Sequence, residues 1–362
     1  MRVLTRWTTF VPILAVILLA LTWGRKDLPA LVMIAVAVFT AGAILAAVQH
    51  AETVAHKVGE PFGSLILALA VTVIEVGLII MLMSAGGPGA DTLARDTVFA
   101  AVMITANGIV GLSLLVAGMR RGLAYFNAEG TGAALATVLT LTTLTMVLPA
   151  FTRSESGGRY TGSQLGFAAI ASLVLWATFI LTQTVRHRDF FLPVHADGSP
   201  IEEDEHADPP SNQTTYLSLG LLLVALVAVV GLAKVGSPAI ESAVESAGLP
   251  NAVVGVVIAL LVLLPETIAA TRNAQRNRVQ ISLNLGYGSA IASIGLTIPV
   301  IALLTVFTDL DLNLGLGPVH LVLLGITAVV GALTIVPGRA TRLQGVLHLL
   351  ILAAFVFLSA VP

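Results

Sequence analysis

The stretch LALAVTVIEVGLIIMLM, from Leu67 to Met83, is apolar over nearly the length that crosses a bilayer, yet it contains Glu75. Glu75 is the only charged residue between Glu60 and Asp91. A second stretch, LLVLLPETIAATRNAQRNR (Leu260–Arg278), has Glu266 directly after a proline in another apolar run. The first stretch predicts a membrane-spanning helix. Both stretches raise the question of why a carboxylate lies in an apolar segment.

The composition of the chain is that of an integral membrane protein. Of its 362 residues, 57% are hydrophobic and only 10% are charged, whereas soluble domains carry roughly a quarter charged residues. The net charge of −2 gives no indication of nucleic-acid binding. Because the chain has no cysteine, disulfides, zinc–thiolate sites and thiol redox chemistry are excluded. The segment WGRKDLP after the first apolar run lacks a small-residue cleavage site, so we expect no cleavable signal.

Apolar runs of spanning length recur along the whole chain. A helix of about 20 apolar residues crosses the bilayer, and this criterion predicts an all-α membrane protein with eleven spanning helices. They are expected at about 9–23, 29–48, 63–84, 97–119, 131–151, 163–185, 215–235, 251–271, 281–307, 318–336 and 343–361. A cytoplasmic N-terminus puts twelve of the eighteen Lys and Arg residues on the inner side. Since positive residues favour the cytoplasm, we expect that orientation.

Two short segments resemble each other at a distance of 189 positions. HAETVAHKVGEP (His50–Pro61) and AIESAVESAGLP (Ala239–Pro250) share an acid, a hydroxyl, a glycine and a proline at matching places. We expect an extra N-terminal helix, a five-helix repeat, an acidic loop and a second five-helix repeat, at 1–27, 28–186, 187–214 and 215–362. Because five is odd, the second repeat lies inverted, which is typical of secondary transporters. Chance similarity of apolar helices stays open.

Glu75 and Glu266 are the candidate cation- and proton-binding residues. Glu75 follows Pro61 by 14 residues and Glu266 follows Pro250 by 16, so the repeats align only with a two-residue slip. An ionised carboxylate at the centre of a span costs about 2.5–3.5 kcal/mol on insertion scales. Such a group is therefore neutral with a proton or charged beside a cation, as a cation/proton antiporter requires. Two facing carboxylates could hold one divalent cation or two protons, but not both.

Pro265 predicts a helix break beside Glu266. Proline has no N–H and clashes with the carbonyl four residues earlier, here that of Leu261. Freed carbonyls are hard oxygen ligands of the kind that Ca²⁺ binds, and they are tolerated at this depth where they line a cavity. Two alternatives stay open. Glu266 lies six residues before Arg272 and could reach the inner surface, and Glu75 could be a structural glutamate satisfied by a neighbour.

The helix after each acidic span carries polar markers. Asn107 is the only asparagine in its span. In the second repeat, small or hydroxyl residues recur every three or four positions, at Ser282, Gly286, Ser289, Ser293 and Thr297. Such a stripe is typical of close helix packing in membranes, and we favour packing for Ser282 and Thr297. For Asn107 and Ser289, metal ligation and packing both stay open.

One connection is long and polar, HRDFFLPVHADGSPIEEDEHADPPSNQ from His187 to Gln213. Its acidic centre contains Glu202, Glu203, Asp204, Glu205, His206 and Asp208. This cluster could concentrate or sense cations, although it lacks the spacing of an EF-hand. A solvated linker without a regulatory role is the alternative.

Two stretches resemble the calcium/cation antiporter superfamily: GEPFGSLILALAVTVIEVGLI (Gly59–Ile79) and LPETIAATRNAQRNRVQISLNLGYGSAIASIGLTIPV (Leu264–Val300). The resemblance covers essentially the whole chain and is to the cation/proton exchanger branch, in particular to bacterial ChaA-type antiporters. It implies a multi-pass protein of the bacterial inner membrane that extrudes cytosolic Ca²⁺ in exchange for protons, with Na⁺ or K⁺ as alternative cations. We expect no cofactor and no catalytic residue, and only lipid and transported cations as partners. The oligomeric state stays open.

The resemblance also implies roles for single residues. Glu75 and Glu266 match the paired glutamates of the family, Asn107 an asparagine in the following helix, and Ser289 the first serine of a G-S-S motif. The acidic loop matches a segment between the repeats. The family's G-N-x-x-E pattern, however, is replaced by VTVIE (71–75) and VLLPE (262–266), and Ala292 stands where a glutamine is expected. Fewer amide ligands leave room for Na⁺ or K⁺.

Two other classes of function are weighed against an antiporter. An intramembrane enzyme would need a nucleophile and base, or a set of metal ligands, and His348, the only histidine clearly inside a predicted span, has no evident partner. A cation channel would not need titratable carboxylates. The two glutamates therefore favour an antiporter.

Overall fold

The computed structural model describes residues 7–25, 28–59, 62–86, 89–195, 199, 209–308 and 311–362. Within these residues the chain is almost wholly helical. The α-helices are α1 (Trp7–Thr22), α2 (Ala30–Val58), α3 (Phe62–Ala85), α4 (Leu93–Met103), α5 (Val110–Arg121), α6 (Ala128–Thr142), α7 (Gly162–Leu181), α8 (Asn212–Ser246), α9 (Ala252–Val262), α10 (Leu264–Gln275), α11 (Val279–Ala292), α12 (Ile298–Thr305), α13 (Pro318–Ile335) and α14 (Arg342–Ala360).

Other local structures join or extend these helices. Wider π-helical turns occupy Ile104–Ile109, Thr143–Val147, Thr182–Arg186 and Ser293–Thr297. Short 3₁₀ helices follow at Leu148–Ala150 and Arg188–Phe191. Two-residue strands, β1 (Ala124–Tyr125) and β2 (Arg339–Ala340), pair antiparallel and tie the start of α6 to the start of α14.

The predicted all-α membrane fold is confirmed. In the described part of the chain, nine helical segments are long and apolar enough to span a bilayer, the bent pair α9–α10 makes a tenth, and α1 is a shorter apolar helix. Each of the eleven predicted spans overlaps one of them. Helices α2 and α8 continue past their predicted ends to Val58 and Ser246. Hydropathy marks where a helix leaves lipid, not where it ends.

Leaving α1 aside, five helical segments lie on each side of the polar loop, α2 to α7 before it and α8 to α14 after it. The third segment of each half contains a π-helical turn, Ile104–Ile109 between α4 and α5 and Ser293–Thr297 between α11 and α12. The second segment differs, because α3 is continuous whereas its counterpart is divided into α9 and α10. The relation of the two halves as inverted repeats stays a prediction.

Helices α1, α2 and α8 pack against one another as a bundle beside the other helices. Glycine allows part of this close approach, since a Cβ on Gly231 of α8 would overlap the side chain of Leu19 in α1. Helix α3 contacts both α2 and α8 and so connects the bundle to the remaining helices. At this contact Gly77 of α3 faces Val230 of α8.

Loops from both halves meet at one end of the molecule, where α3 ends and α4 begins. The backbone N–H of Asn313 donates to the Asp91 carbonyl over 2.9 Å, and that of Gly315 donates to the Gly158 carbonyl over 2.8 Å. The Arg95 guanidinium donates to the Gly315 carbonyl over 3.1 Å. Three loops from both halves are therefore joined by hydrogen bonds at this end.

Candidate functional site

A cavity of about 350 Å³ lies between α3, α7, α10 and α11. Its lining consists of Leu67, Ala68, Val71, Thr72, Glu75, Ile180, Gln183, Glu266, Ile281, Asn284, Leu285, Gly288, Ser289, Ala292 and Ser293. From Ile281 to Ser293 it follows the helix for about 18 Å, at ~1.5 Å per residue. The cavity begins at the end of the molecule where α7 ends and α11 begins, and it extends toward the middle of the molecule. The hydrogen-bonded loops described above lie at the opposite end.

Glu75 lies at the inner part of this cavity, and its side chain is 2% exposed. Its Oε2 accepts hydrogen bonds from Ser293 Oγ over 2.6 Å and from Thr297 Oγ1 over 3.2 Å. Its Oε1 is buried without a hydrogen-bond partner among the described residues. Oε2 of Glu75 is therefore held by two hydrogen bonds, whereas Oε1 has no partner among the described residues. A structural glutamate satisfied by its neighbours would have partners for both oxygens.

The hydroxyls that hold Glu75 come from the π-helical turn that follows α11. Ser293 and Thr297 are its first and last residues. The packing interpretation of Thr297 was therefore incomplete, because its hydroxyl contacts the candidate site. Ser293 was recognised only as a member of the small-residue stripe. The sequence signal that could have identified both hydroxyls as partners of Glu75 is the stripe of hydroxyl residues in the helix that follows the second acidic span.

Glu266 reaches the same cavity from the second half. Helix α9 ends at Val262, α10 begins at Leu264, and the two are bent by 51° where Pro265 predicts a break. Glu266 thereby lies in the first turn of α10, where the N-terminal end of the helix dipole favours negative charge. It is 7% exposed, and its Oε2 is buried without a partner in the described part. The side chain is thus enclosed in the cavity.

Neutral oxygens complete the lining. Thr72, Ser289 and Gln183 line the cavity, and their side chains make no hydrogen bond to another described residue. Among the described residues no group of three or more acidic or histidine side chains could hold a metal. A cation in this cavity would therefore be bound by two carboxylates and neutral oxygens, and Ser289 stays a candidate ligand.

The structure does not bring Asn107 into the lining of the cavity. Asn107 Nδ2 donates to Thr327 Oγ1 over 3.0 Å, and its Oδ1 lies 3.1 Å from His348 Nδ1. Because Oδ1 can only accept, Nδ1 of His348 donates to it. The second ring nitrogen of His348 lies 3.3 Å from Thr334 Oγ1. His348 thus has the partners that were not evident in sequence, and this geometry fits a packing role for Asn107.

The remaining sequence predictions are placed as follows. Ser282 Oγ donates to the Ala270 carbonyl over 2.7 Å and ties α11 to α10, as a packing role requires. The acidic residues of the loop lie outside the described residues: Glu202, Glu203, Asp204, Glu205, His206 and Asp208. Gln183 comes from the π-helical turn that follows α7, and nothing in the sequence of that segment relates it to the acidic spans.

Comparison with known proteins supports one family. The profile of the family described as sodium/calcium exchanger protein matches residues 28–185 and 217–361. The protein y4hA of Sinorhizobium fredii is 43% identical over 362 residues, covering 98% of this chain and 96% of y4hA. The sodium-potassium/proton antiporter ChaA of Escherichia coli is 33% identical over 348 residues, covering 95% of this chain and 93% of ChaA.

Solved structures share the fold. The Ca²⁺/H⁺ antiporter YfkE superposes with a TM-score of 0.72 at 14% identity, covering 99% of this chain and 100% of YfkE. The H⁺/Ca²⁺ exchanger CAX gives 0.70 at 16% identity, covering 97% and 91%. At these identities the likeness concerns the fold. The family profile matches both helical halves on either side of the polar loop, and the chain therefore belongs to the sodium/calcium exchanger protein family of membrane transporters.

Proposed function

We propose that this protein is a cation/proton antiporter that extrudes cytosolic Ca²⁺ by using the proton gradient, with Na⁺ or K⁺ as the alternative cation. The observation that carries the proposal is the pair of buried carboxylates, Glu75 and Glu266. Each has an oxygen without a partner among the described residues, and both line one cavity. Two such groups can bind a divalent cation when ionised or two protons when neutral, and charge balance makes these states exclusive.

The oxygen content of the cavity supports a hard cation. Ca²⁺ takes six to eight oxygen ligands. Two carboxylates supply up to four, and the hydroxyls of Thr72 and Ser289, which line the same cavity, supply two more. Glu75 and Glu266 therefore act as cation- and proton-binding groups, with Ser289 as a neutral ligand. The names of similar proteins support Ca²⁺ as well as Na⁺ or K⁺ as the cation, since CAX is named an H⁺/Ca²⁺ exchanger and ChaA a sodium-potassium/proton antiporter.

The orientation follows from the charge of the connecting segments. If the N-terminus is cytoplasmic, as the distribution of Lys and Arg favours, the cavity extends to the cytoplasmic end of the molecule. The opposite end is joined by the hydrogen bonds of Asp91, Gly158, Asn313 and Gly315. This arrangement corresponds to an inward-facing state. Access then alternates when the bundle of α1, α2 and α8 moves against the other helices.

The test uses everted membrane vesicles with an acid interior, in which the cytoplasmic face of the protein meets the bath. CaCl₂, NaCl or KCl is added while the pH gradient is followed with a fluorescent amine. Wild type should collapse the gradient on addition of the transported cation, and Glu75→Gln should not. Glu129→Gln is the matched control, because Glu129 is an exposed glutamate at the start of α6.

Two results would count against the proposal. A gradient unchanged by all three cations, in vesicles that contain folded protein, contradicts cation/proton exchange. Cation flux that is independent of the pH gradient and survives Glu75→Gln would favour a channel.

A further inference from the structure

Gln183 is one of two amide side chains that line the cavity among the described residues. It belongs to the π-helical turn Thr182–Arg186 at the end of α7 and is half-buried. Its neighbours are committed to their own helix, since Thr182 Oγ1 donates to the Thr178 carbonyl and Thr184 Oγ1 donates to the Ile180 carbonyl. The side chain of Gln183 makes no such bond within the described residues.

The other amide of the lining, Asn284, serves as a contrast. Its Nδ2 donates to the Phe191 carbonyl over 2.7 Å, and its Oδ1 accepts from Gln280 Nε2 over 2.8 Å. Asn284 could turn toward a cation only by breaking both bonds. Of these two amides, Gln183 can therefore offer its oxygen to a cation without breaking a hydrogen bond to another described residue.

The position of Gln183 is at the mouth of the cavity. It lies close to the end of α7, at the same end of the molecule as Ile281, which stands near the start of α11. Glu75 and Ser293 lie toward the other end of the cavity. A cation that moves inward must exchange hydration water for protein oxygens before the carboxylates bind it, and binding on the way must be weak enough for release.

We propose that Gln183 is the first protein ligand of the cation at the mouth of the cavity and helps to determine which cation is accepted. This inference rests on the proposed exchange function. The amide oxygen is a hard ligand suited to Ca²⁺, but an amide does not titrate in the physiological range. Gln183 therefore acts on cations and not on protons, unlike Glu75 and Glu266.

The experiment measures initial rates in everted vesicles against the concentration of CaCl₂, NaCl and KCl at several bath pH values. Gln183→Leu should raise the half-saturating Ca²⁺ concentration roughly tenfold, with a maximal rate within about twofold of wild type. The dependence on bath pH at saturating Ca²⁺ should be unchanged. Gln183→Glu should lower the half-saturating concentration for Ca²⁺ more than for Na⁺ or K⁺. Gln49→Leu, an exposed glutamine of α2 outside the cavity lining, is the control.

Equilibrium dialysis of detergent-purified protein against ⁴⁵Ca²⁺ and ²²Na⁺ separates this inference from the proposed function. If wild type binds Ca²⁺ but does not exchange it, the antiporter proposal is contradicted. The inference about Gln183 is then tested by comparing Ca²⁺ binding, which should be weaker in Gln183→Leu than in wild type. Equal half-saturating concentrations or equal Ca²⁺ binding in wild type and Gln183→Leu overturn the inference. So does a fall in maximal rate alone, which would indicate a structural role. Wild type that binds none of these cations overturns both.

Discussion

Ser293 determines how the carboxylate of Glu75 is held. Its hydroxyl donates to Oε2 over 2.6 Å, a short bond of the kind that ionised acceptors form. Hydrogen bonds to charged groups contribute about 1.5–3 kcal/mol. Ser293→Ala removes one that stabilises the ionised form of Glu75, which is the form proposed to bind the cation. We expect the half-saturating Ca²⁺ concentration in vesicle assays to rise by about tenfold.

Ser282→Ala is the control for this substitution. Ser282 also carries a buried hydroxyl, but it donates to the Ala270 carbonyl outside the site. Unchanged Ca²⁺ dependence in Ser293→Ala would mean that Thr297 alone is sufficient to hold Glu75.

His348 is expected to contribute to stability and not to ion binding. It is fully buried, and its two ring nitrogens contact Asn107 and Thr334. His348→Leu leaves the Asn107 oxygen without its donor, and an unsatisfied buried group costs about 1–3 kcal/mol. We expect a lower temperature of half-inactivation in detergent, with half-saturating cation concentrations unchanged. His56→Leu, at an exposed histidine of α2, should have the wild-type temperature. A wild-type temperature in His348→Leu would contradict the structural role.

At the scale of elements, the π-helical turn after α11 depends on contact with α7. A Cβ on Gly295, in the middle of this turn, would lie 2.7 Å from Trp176 Cβ. Gly295→Ala therefore forces the two helices apart, and overpacking of this kind costs about 1–3 kcal/mol. Because Ser293 and Thr297 flank Gly295, we expect slower exchange as well as a lower temperature of half-inactivation.

Gly325→Ala is the matched control for the helix contact, because a Cβ at that helical glycine meets no atom within 4 Å. It should leave both the exchange rate and the thermal stability at wild-type levels. If Gly295→Ala behaves in the same way, the contact with Trp176 does not fix the position of the turn.

The elements also explain what the sequence could and could not predict. Spans and the two glutamates were accessible, because a charge inside an apolar run needs no knowledge of tertiary structure. The hydrogen bond between Asn107 and His348 joins residues 241 positions apart, and periodicity in one helix contains no information about it. The role of Thr297 is missed because a stripe of small residues is equally typical of helix packing, and its hydroxyl contacts Glu75, which lies 222 positions away in the sequence.

At the scale of the whole molecule, the proposed alternation of access moves the bundle of α1, α2 and α8 relative to α3. A Cβ on Gly77 of α3 would lie 3.7 Å from Val230 Cβ of α8, which suits a disulfide. The chain has no native cysteine, so no other disulfide competes. Gly77→Cys combined with Val230→Cys should arrest exchange when oxidised and recover it with a reducing agent.

The Val230→Cys variant treated with the same oxidant and the reduced double variant are the controls for this cross-link, because neither contains the disulfide. Gly77→Cys alone is unsuitable, because its Cβ would lie 2.5 Å from the Val230 side chain. Mass spectrometry after digestion establishes that the disulfide has formed. Wild-type exchange by the oxidised double variant would mean that α8 stays fixed to α3 throughout the transport cycle.

The unbroken α3 and the bent pair α9–α10 make the two halves of this molecule chemically unequal. Glu75 is held by two hydroxyls in mid-helix, while Glu266 lies at a helix start. The two-residue slip of the predicted repeat lies between Pro250 and Glu266, the stretch that contains this bend. An exchanger with unequal halves does not present mirror-image sites to the two compartments. The cation and proton gradients alone fix where exchange reaches equilibrium. The rate of cation export, however, differs from the rate of cation import under matched gradients. The protein therefore acts as a kinetic rectifier.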